Sequence, residues 1–350
     1  MKNRSGKTEK FLQLLSSRKP FIQAPMAGVD TPDMAIAVAQ AGGVGSLACA
    51  LLSPVQIVEA FAYIRARTDK PINLNFFCHP PREKSPAQQT RWKARLAEHY
   101  RELGLDIEAV TPSATRAPFD ENFCKVVEDL RPGIVSFHFG LPDALLLRRV
   151  KAAGNVVLSS ATTAEEAVWL EQNGCDIIIA QGTEAGGHRG MFLSDDLSAQ
   201  QKTADLLPQV LAAVSVPVVA AGGFADAPSI RRAIDMGAAA VQVGTAFMFC
   251  KEARVAPLHR AMLAEDHPTV LTNIFSGRPA RGIINRLIRT VGPMSADAPD
   301  FPYASDYVKP LRQASEKMGS VDFMQMWSGD IRKPHSMNAE DLTTFLCAEL

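Results

Sequence analysis

The residues richest in chemistry lie in one glycine loop, Gln181-Gly182-Thr183-Glu184-Ala185-Gly186-Gly187-His188-Arg189-Gly190. Histidine titrates near neutral pH, so His188 has the chemistry of a general base or of a donor to a developing anion. A lone histidine is more often structural, but glycines on both sides argue against simple packing and for close approach to a ligand. His138 lies between Phe137 and Phe139, and the same position suits a substrate-facing residue or a satisfied core histidine. No His, Cys, Asp or Glu set has metal-ligand spacing. Glu184 and His188 are four apart, but in a glycine loop this is not a helical ligand pair.

A second set of residues suits an anion. Ala221-Gly222-Gly223 and Gln242-Val243-Gly244-Thr245 both end apolar runs. Glycine there lets backbone N–H groups approach a phosphate with no Cβ in the way. Helices beginning near Asp226 and Thr245 would point their positive ends at the same spot. Tight turns need glycine anyway, so one pair means little; two on adjacent strands form a cradle. Asn75, Gln181 and Gln242 also stand at the ends of apolar runs. An amide offers donor and acceptor together, which suits the mixed edge of a flavin ring, although each amide could instead tie down a loop.

These groups need a scaffold that brings distant segments together. Short apolar runs at Phe21 to Ala24, Gly43 to Ser46, Ile72 to Asn75, Ile134 to Phe137, Val156 to Ser159, Ile177 to Ala180, Pro217 to Ala220 and Ala240 to Val243 alternate with amphipathic stretches. The clearest helices are Thr31 to Ala41, Ser53 to Arg67, Thr162 or Thr163 to Asn173 and Ser229 to Met236. Eight strands alternating with helices imply a parallel sheet. An open doubly wound sheet shows the same alternation, but it usually carries Gly-x-Gly-x-x-Gly after its first strand. Pro25-Met26-Ala27-Gly28 stands there instead, so the expectation is an α/β fold closed as a TIM (β/α)8 barrel, with its site at the C-terminal strand ends.

The chain is expected to divide into a ligand-binding barrel over 1–254 and a helical extension over 255–350 packed on it as a lid. Residues 78–117, rich in Pro, Arg, Lys and Glu, read as an insertion after the third strand with a helix from Pro86 to Gly104. In the extension, Met262 to Asn273 and Pro310 to Trp327 read as helical, and Gly292 to Pro302 as a linker. Tyr303 and Tyr307 would reach back over the mouth. The arginines of Ser276-Gly277-Arg278-Pro279-Ala280-Arg281-Gly282 would steer an anion or brace a loop against the phosphate site, and the stretch reads equally as a solvated structural turn.

The 350 residues suit one barrel of about 250 plus an appendage. Lys and Arg balance Asp and Glu at 37 each, which gives no electrostatic reason to expect nucleic acid and leaves a homo-oligomer open. The six scattered cysteines read as buried reduced thiols. Met1 to Lys10 lacks the apolar stretch of a signal peptide, and no apolar run spans a membrane, so a cytoplasmic protein is expected.

Together these residues resemble the nitronate monooxygenase (2-nitropropane dioxygenase) family. The resemblance covers nearly the whole chain and includes Gln23 to Gly28, the histidine loop, the two glycine turns and Ser276 to Gly282; Asn75-Phe76-Phe77-Cys78-His79 and Ser136-Phe137-His138-Phe139-Gly140 point to its class I branch. It implies noncovalent FMN and the O2-dependent oxidation of alkyl nitronates, propionate 3-nitronate especially, to a carbonyl compound with nitrite or nitrate. By position, Pro25, Met26, Ala27, Asn75, Gln181, Gly186, Gly187, Ala221, Gly222, Gly223, Gln242, Val243, Gly244 and Thr245 would contact FMN. His188 would be catalytic, and His138, Tyr303 and Tyr307 would line the substrate pocket. Asp330 stands where the family leads one to expect glutamine. NAD(P)H-dependent flavin reductases of the enoyl-acyl-carrier-protein reductase type carry a similar loop and form the alternative.

Overall fold

The computed structural model describes residues 6–111 and 117–350. Residues 1–5 of the N-terminal stretch and 112–116 of the insertion lie outside the described residues. Eight parallel strands form the central sheet: β1 (Phe21–Gln23), β2 (Ser46–Ala48), β3 (Ile72–Phe77), β4 (Gly133–His138), β5 (Val156–Ala161), β6 (Ile177–Gln181) and, after the two-residue β7 (Gly187–His188) of a separate sheet, β8 (Val218–Ala221) and β9 (Ala240–Val243). The order β1-β9-β8-β6-β5-β4-β3-β2 is that of a barrel. The seam closes through an isolated bridge between Ile22 and Val44, and the Gln23 side chain takes over beyond it, its Oε1 accepting from Ser46 N at 2.8 Å. The chain is a TIM barrel.

β2 begins later than the apolar run Gly43 to Ser46 suggests. Gly45 is pressed against helix Pro32–Gln40 so closely that a Cβ would lie 2.7 Å from the Ala35 carbonyl carbon. That glycine serves helix packing, and the regular ladder starts after it. The helices begin where local chemistry starts them. Ser53 and Gln56 form a capping box ahead of Pro54, and Thr31, Thr163 and Asp226 each cap the helix that follows.

Residues two apart on a strand share a face. Ile22, Ile134, Leu158, Ile179 and Val219 join Phe11 and Leu15 in one cluster that closes the lower barrel. One step further along the strands the residues become polar: Asn75, Ser136, Ser160, Gln181 and Gln242 all line a cavity at the C-terminal ends. The change from aliphatic plug to polar rim is what places a site there.

The extension differs from expectation. Met262 to Asn273 is not one helix: a helix spans Pro257–Ala264 and β10 spans Thr269–Thr272. Pro268 cannot donate to a helix, and the Thr and Val after it favour extended backbone. β10 pairs with β11 (Ala280–Ile283), which pairs with β7 beside the barrel mouth. The second helix spans Ala304–Lys317, shifted from Pro310 to Trp327, and Gly319 at φ +73° follows its end. This helix and the insertion's helix, Pro86–Glu102, share one core containing Trp92, Tyr100, Tyr307 and Phe323. Among the described residues no helix is long and apolar enough to cross a membrane.

Candidate active site

The first strand, the glycine turns and the histidine loop converge. Pro25, Met26, Ala27, Asn75, Gln181, Gly186, Gly187, Ala221, Gly222, Gly223, Gln242, Val243, Gly244 and Thr245 line one cavity with His188 and His138. Gly222 and Gly223 take φ of +111° and +83°, a region that favours glycine. A Cβ at Gly222 would lie 2.9 Å from Ala185 N, and one at Gly186 would lie 2.5 Å from Gly329 N. The backbone is thus open to a ligand and too close-packed for any side chain. Among the described residues, Glu184 is the one acidic or basic residue besides the two histidines on the cavity wall. An anion there would be held by backbone N–H groups and helix ends, without lysine or arginine.

The amides differ in role. Gln181 Nε2 donates to the His188 carbonyl at 3.0 Å and its Oε1 accepts from Gly190 N at 2.8 Å, so this amide braces the histidine loop. Asn75 Nδ2 donates to Ser136 Oγ at 2.9 Å. Gln242 lines the cavity, and its Oε1 is buried and has no protein partner. A buried acceptor left without a partner on a cavity-lining amide is explained if that amide turns to meet a ligand N–H.

His188 sits within aromatic rings. Its ring centroid is 6.1 Å from Phe77, 6.0 Å from Phe139, and 5.5 Å from both Phe301 and Trp327. Its Nε2 is 2.9 Å from Ser276 Oγ. His138 Nε2 is 3.1 Å from the His188 carbonyl oxygen, which can only accept, so this nitrogen carries hydrogen. Burial pushes His138 down to about 4, and in its neutral form Nδ1 accepts from Ser160 Oγ at 3.0 Å. The ring therefore lines the cavity, as expected of a substrate-pocket residue, but both nitrogens are committed to the protein.

Tyr303 and Tyr307 lie elsewhere. Tyr303 Oη donates to the Arg82 carbonyl at 3.0 Å, and Tyr307 is wholly buried between the extension and the insertion. The helix carrying Tyr307 begins at Ala304, which turns that residue toward Trp92 and Tyr100 instead of the mouth. What the extension contributes is Gln325 and the stretch Trp327 to Gly329, together with Ile331. Gly329 N donates to Thr245 Oγ1 at 3.0 Å and Asp330 N to the Glu184 carbonyl at 3.0 Å. The Asp330 carboxylate pairs with Arg281 Nη1 at 2.8 Å, an acid's alternative to glutamine at this position. Arg281 Nε also donates to the Thr183 carbonyl, and Arg278 caps the Met191 carbonyl, so both arginines brace loops.

Asp30 carried no signal in the sequence. Its Oδ2 accepts from Met26 N at 2.8 Å and Ala48 N at 3.0 Å, which ties the turn after β1 to β2. Burial lifts its carboxyl from 3.8 to about 7, against those two hydrogen bonds, which pull it down. The native state then holds a proton that the unfolded chain releases between these values, so stability is lost as pH rises through that window. Asp30→Asn keeps the acceptor and removes the titration. Thermal melts from pH 4 to 8 should show the wild type losing stability relative to this variant as pH rises; curves that stay parallel would mean that Asp30 is ionised throughout.

A family profile described as nitronate monooxygenase matches residues 9–349. The chain is 39 % identical over 326 residues to a nitronate monooxygenase of Pseudomonas aeruginosa, covering 92 % of this chain and 93 % of that one. It is 38 % identical over 355 aligned positions to a nitronate monooxygenase of Paraburkholderia phytofirmans, covering 100 % and 97 %. Among solved structures, a nitroalkane oxidase from Streptomyces ansochromogenes matches with a TM-score of 0.85 and 34 % identity over 97 % of both chains. FabK from Thermotoga maritima matches with a TM-score of 0.68 and 24 % identity over 97 % of this chain and 95 % of that one, a likeness of fold alone.

Proposed function

The chain belongs to the nitronate monooxygenase family of oxidoreductases, and we propose that it binds FMN in the barrel cavity and oxidises alkyl nitronates, propionate 3-nitronate among them, with O2 to a carbonyl compound and nitrite or nitrate. The observation that carries this reading is the convergence on one cavity of two glycine turns, the unpartnered Gln242 Oε1 and His188. The residues fit the cofactor. Backbone at Gly222, Gly223, Gly244 and Thr245 would hold its phosphate, while Gln242 and Asn75 would meet the polar edge of its ring. Pro25 to Ala27 and Gly186 to Gly187 would supply the remaining contacts. When bound, FMN supplies the electron acceptor for the nitronate and the site where O2 is reduced.

The chain's own groups do the rest. His188 takes the Cα proton of a neutral nitroalkane and positions a nitronate that arrives already deprotonated. Phe77 and Trp327 exclude water from that position and strengthen each hydrogen bond within it. The shared carbonyl contact from Gln181 and His138 fixes the loop on which His188 rides. Six cysteines without disulfides suit a cytoplasmic location, and a nitronate and O2 are the partners.

The purified protein should be yellow and should release FMN, one per chain, on denaturation. A colourless protein that cannot be reconstituted with FMN would overturn the reading.

A further inference from the structure

We infer that Ser276 is a positioning residue for proton transfer at His188: its hydroxyl accepts from Nε2–H once the imidazole is protonated, while its own hydrogen goes to the Arg278 carbonyl. This rests on the proposed role of His188 toward nitroalkanes. In that step the substrate Cα–H bond breaks, its electron pair stays on the carbon and nitro group as the nitronate, and the imidazole gains the proton. The imidazolium that results carries hydrogen on both nitrogens.

Ser276 Oγ lies 2.9 Å from His188 Nε2 and 3.2 Å from the Arg278 carbonyl oxygen. A carbonyl only accepts, so when Nε2 is protonated the two bonds can form in a single sense: imidazolium to hydroxyl, hydroxyl to carbonyl. Hydrogen bonds to an ionised group are the strong ones, and this one stabilises the charged ring over the neutral ring. Ser276 is 0 % exposed, so water cannot take its place, and it does not line the cavity, so it acts through His188 and not on substrate.

The two residues are also fixed relative to one another. His188 pairs with Ala280 in the β7–β11 ladder, and Arg189 N donates to the Pro279 carbonyl at 2.9 Å. Gly277 N closes the Ser276 turn on Asn273 O at 2.7 Å, with Gly277 at φ +87°. Arg278 is held with its guanidinium carbon 4.1 Å from the Phe139 ring centroid, which anchors the accepting carbonyl. Among the described residues, the titratable or charged groups on elements near the ring include Glu184 and Arg189 on its own loop, His138 on β4 and His79 beyond β3. Arg278, Arg281, Asp300 and Asp330 belong to the extension. All of them remain when Ser276 alone is changed.

The test compares wild type, Ser276→Ala and Ser276→Cys as holoenzymes, with kcat/KM for nitroethane against pH and with the His188 ring titration followed by NMR. Losing the acceptor lowers the ring's affinity for its proton. In Ser276→Ala the acid limb should move down by about one pH unit and the plateau should fall about tenfold. Turnover of ethyl nitronate should stay within about twofold, since that substrate needs no base. Ser276→Cys, nearly equal in volume and a weaker acceptor, should fall between and preserve the packing. An acid limb and a ring titration that coincide with wild type in both variants would overturn the inference. The NMR arm does not depend on turnover, so a wild type that fails to oxidise nitroethane would count against the proposed function alone.

Discussion

Replacing His188 with asparagine should cut the oxidation of neutral nitroalkanes by about 10²- to 10⁴-fold and leave nitronate oxidation nearly intact. A nitroalkane must lose its Cα proton before it can give up electrons, and His188 is a titratable side chain on the cavity wall with Ser276 hydrogen-bonded behind it. Asparagine can still donate a hydrogen bond but cannot hold the abstracted proton. A nitronate arrives without that proton and bypasses the step. The measurement is oxygen uptake with nitroethane and with ethyl nitronate, each over a range of concentrations. Equal losses on both substrates would show that His188 serves binding, not proton transfer.

Gly222→Ala should yield protein with little or no bound flavin. At φ +111° an L side chain is strained by about 1–3 kcal/mol, and here the new Cβ would also lie 2.9 Å from Ala185 N and 3.0 Å from Thr203 Oγ1. Relief requires the glycine turn to part from the histidine loop, which takes the proposed phosphate site apart. Even the strain alone, if released only by opening the site, weakens FMN binding on the order of 10- to 100-fold. Gly154→Ala is the matched control: φ is +86°, but a Cβ there meets nothing within 4 Å. It should lower stability and leave flavin content unchanged. Equal flavin retention in both variants, by equilibrium titration with FMN, would remove Gly222 from the binding site.

The parts of this molecule legible in its sequence are those set by local chemistry. Val216-Pro217-Val218-Val219-Ala220 reads as a buried parallel strand because both of its faces are apolar. Gly222, Gly223 and Gly244 mark turns because their backbone demands it. The extension was harder because its cues compete. Pro310 looks like a helix start, yet it lies inside the helix Ala304–Lys317, which carries Tyr307 into the core shared with the insertion. Pro268 and Gly319 were the available signals for the true boundaries. Asp30 and Ser276 acquire their roles only through distant partners, Ala48 across the first two strands and His188 across 88 positions of chain. Nothing in their immediate neighbours announces this. Gln181 shows the same limit from the other side, since a strand-end amide can face a ligand or a loop and only the fold shows that this one braces the loop while it lines the cavity.

A nicotinamide-dependent flavin reductase, the alternative raised by the histidine loop, would be reduced by NADH or NADPH, whereas the proposed enzyme draws its electrons from the nitronate itself. Anaerobic mixing of the flavin-loaded protein with propionate 3-nitronate, and separately with NADH and NADPH, while the visible flavin band is followed, tests this difference directly. The expected result is rapid bleaching by the nitronate and none by either nicotinamide. Bleaching by NADH or NADPH with an unchanged spectrum in the nitronate would contradict the account.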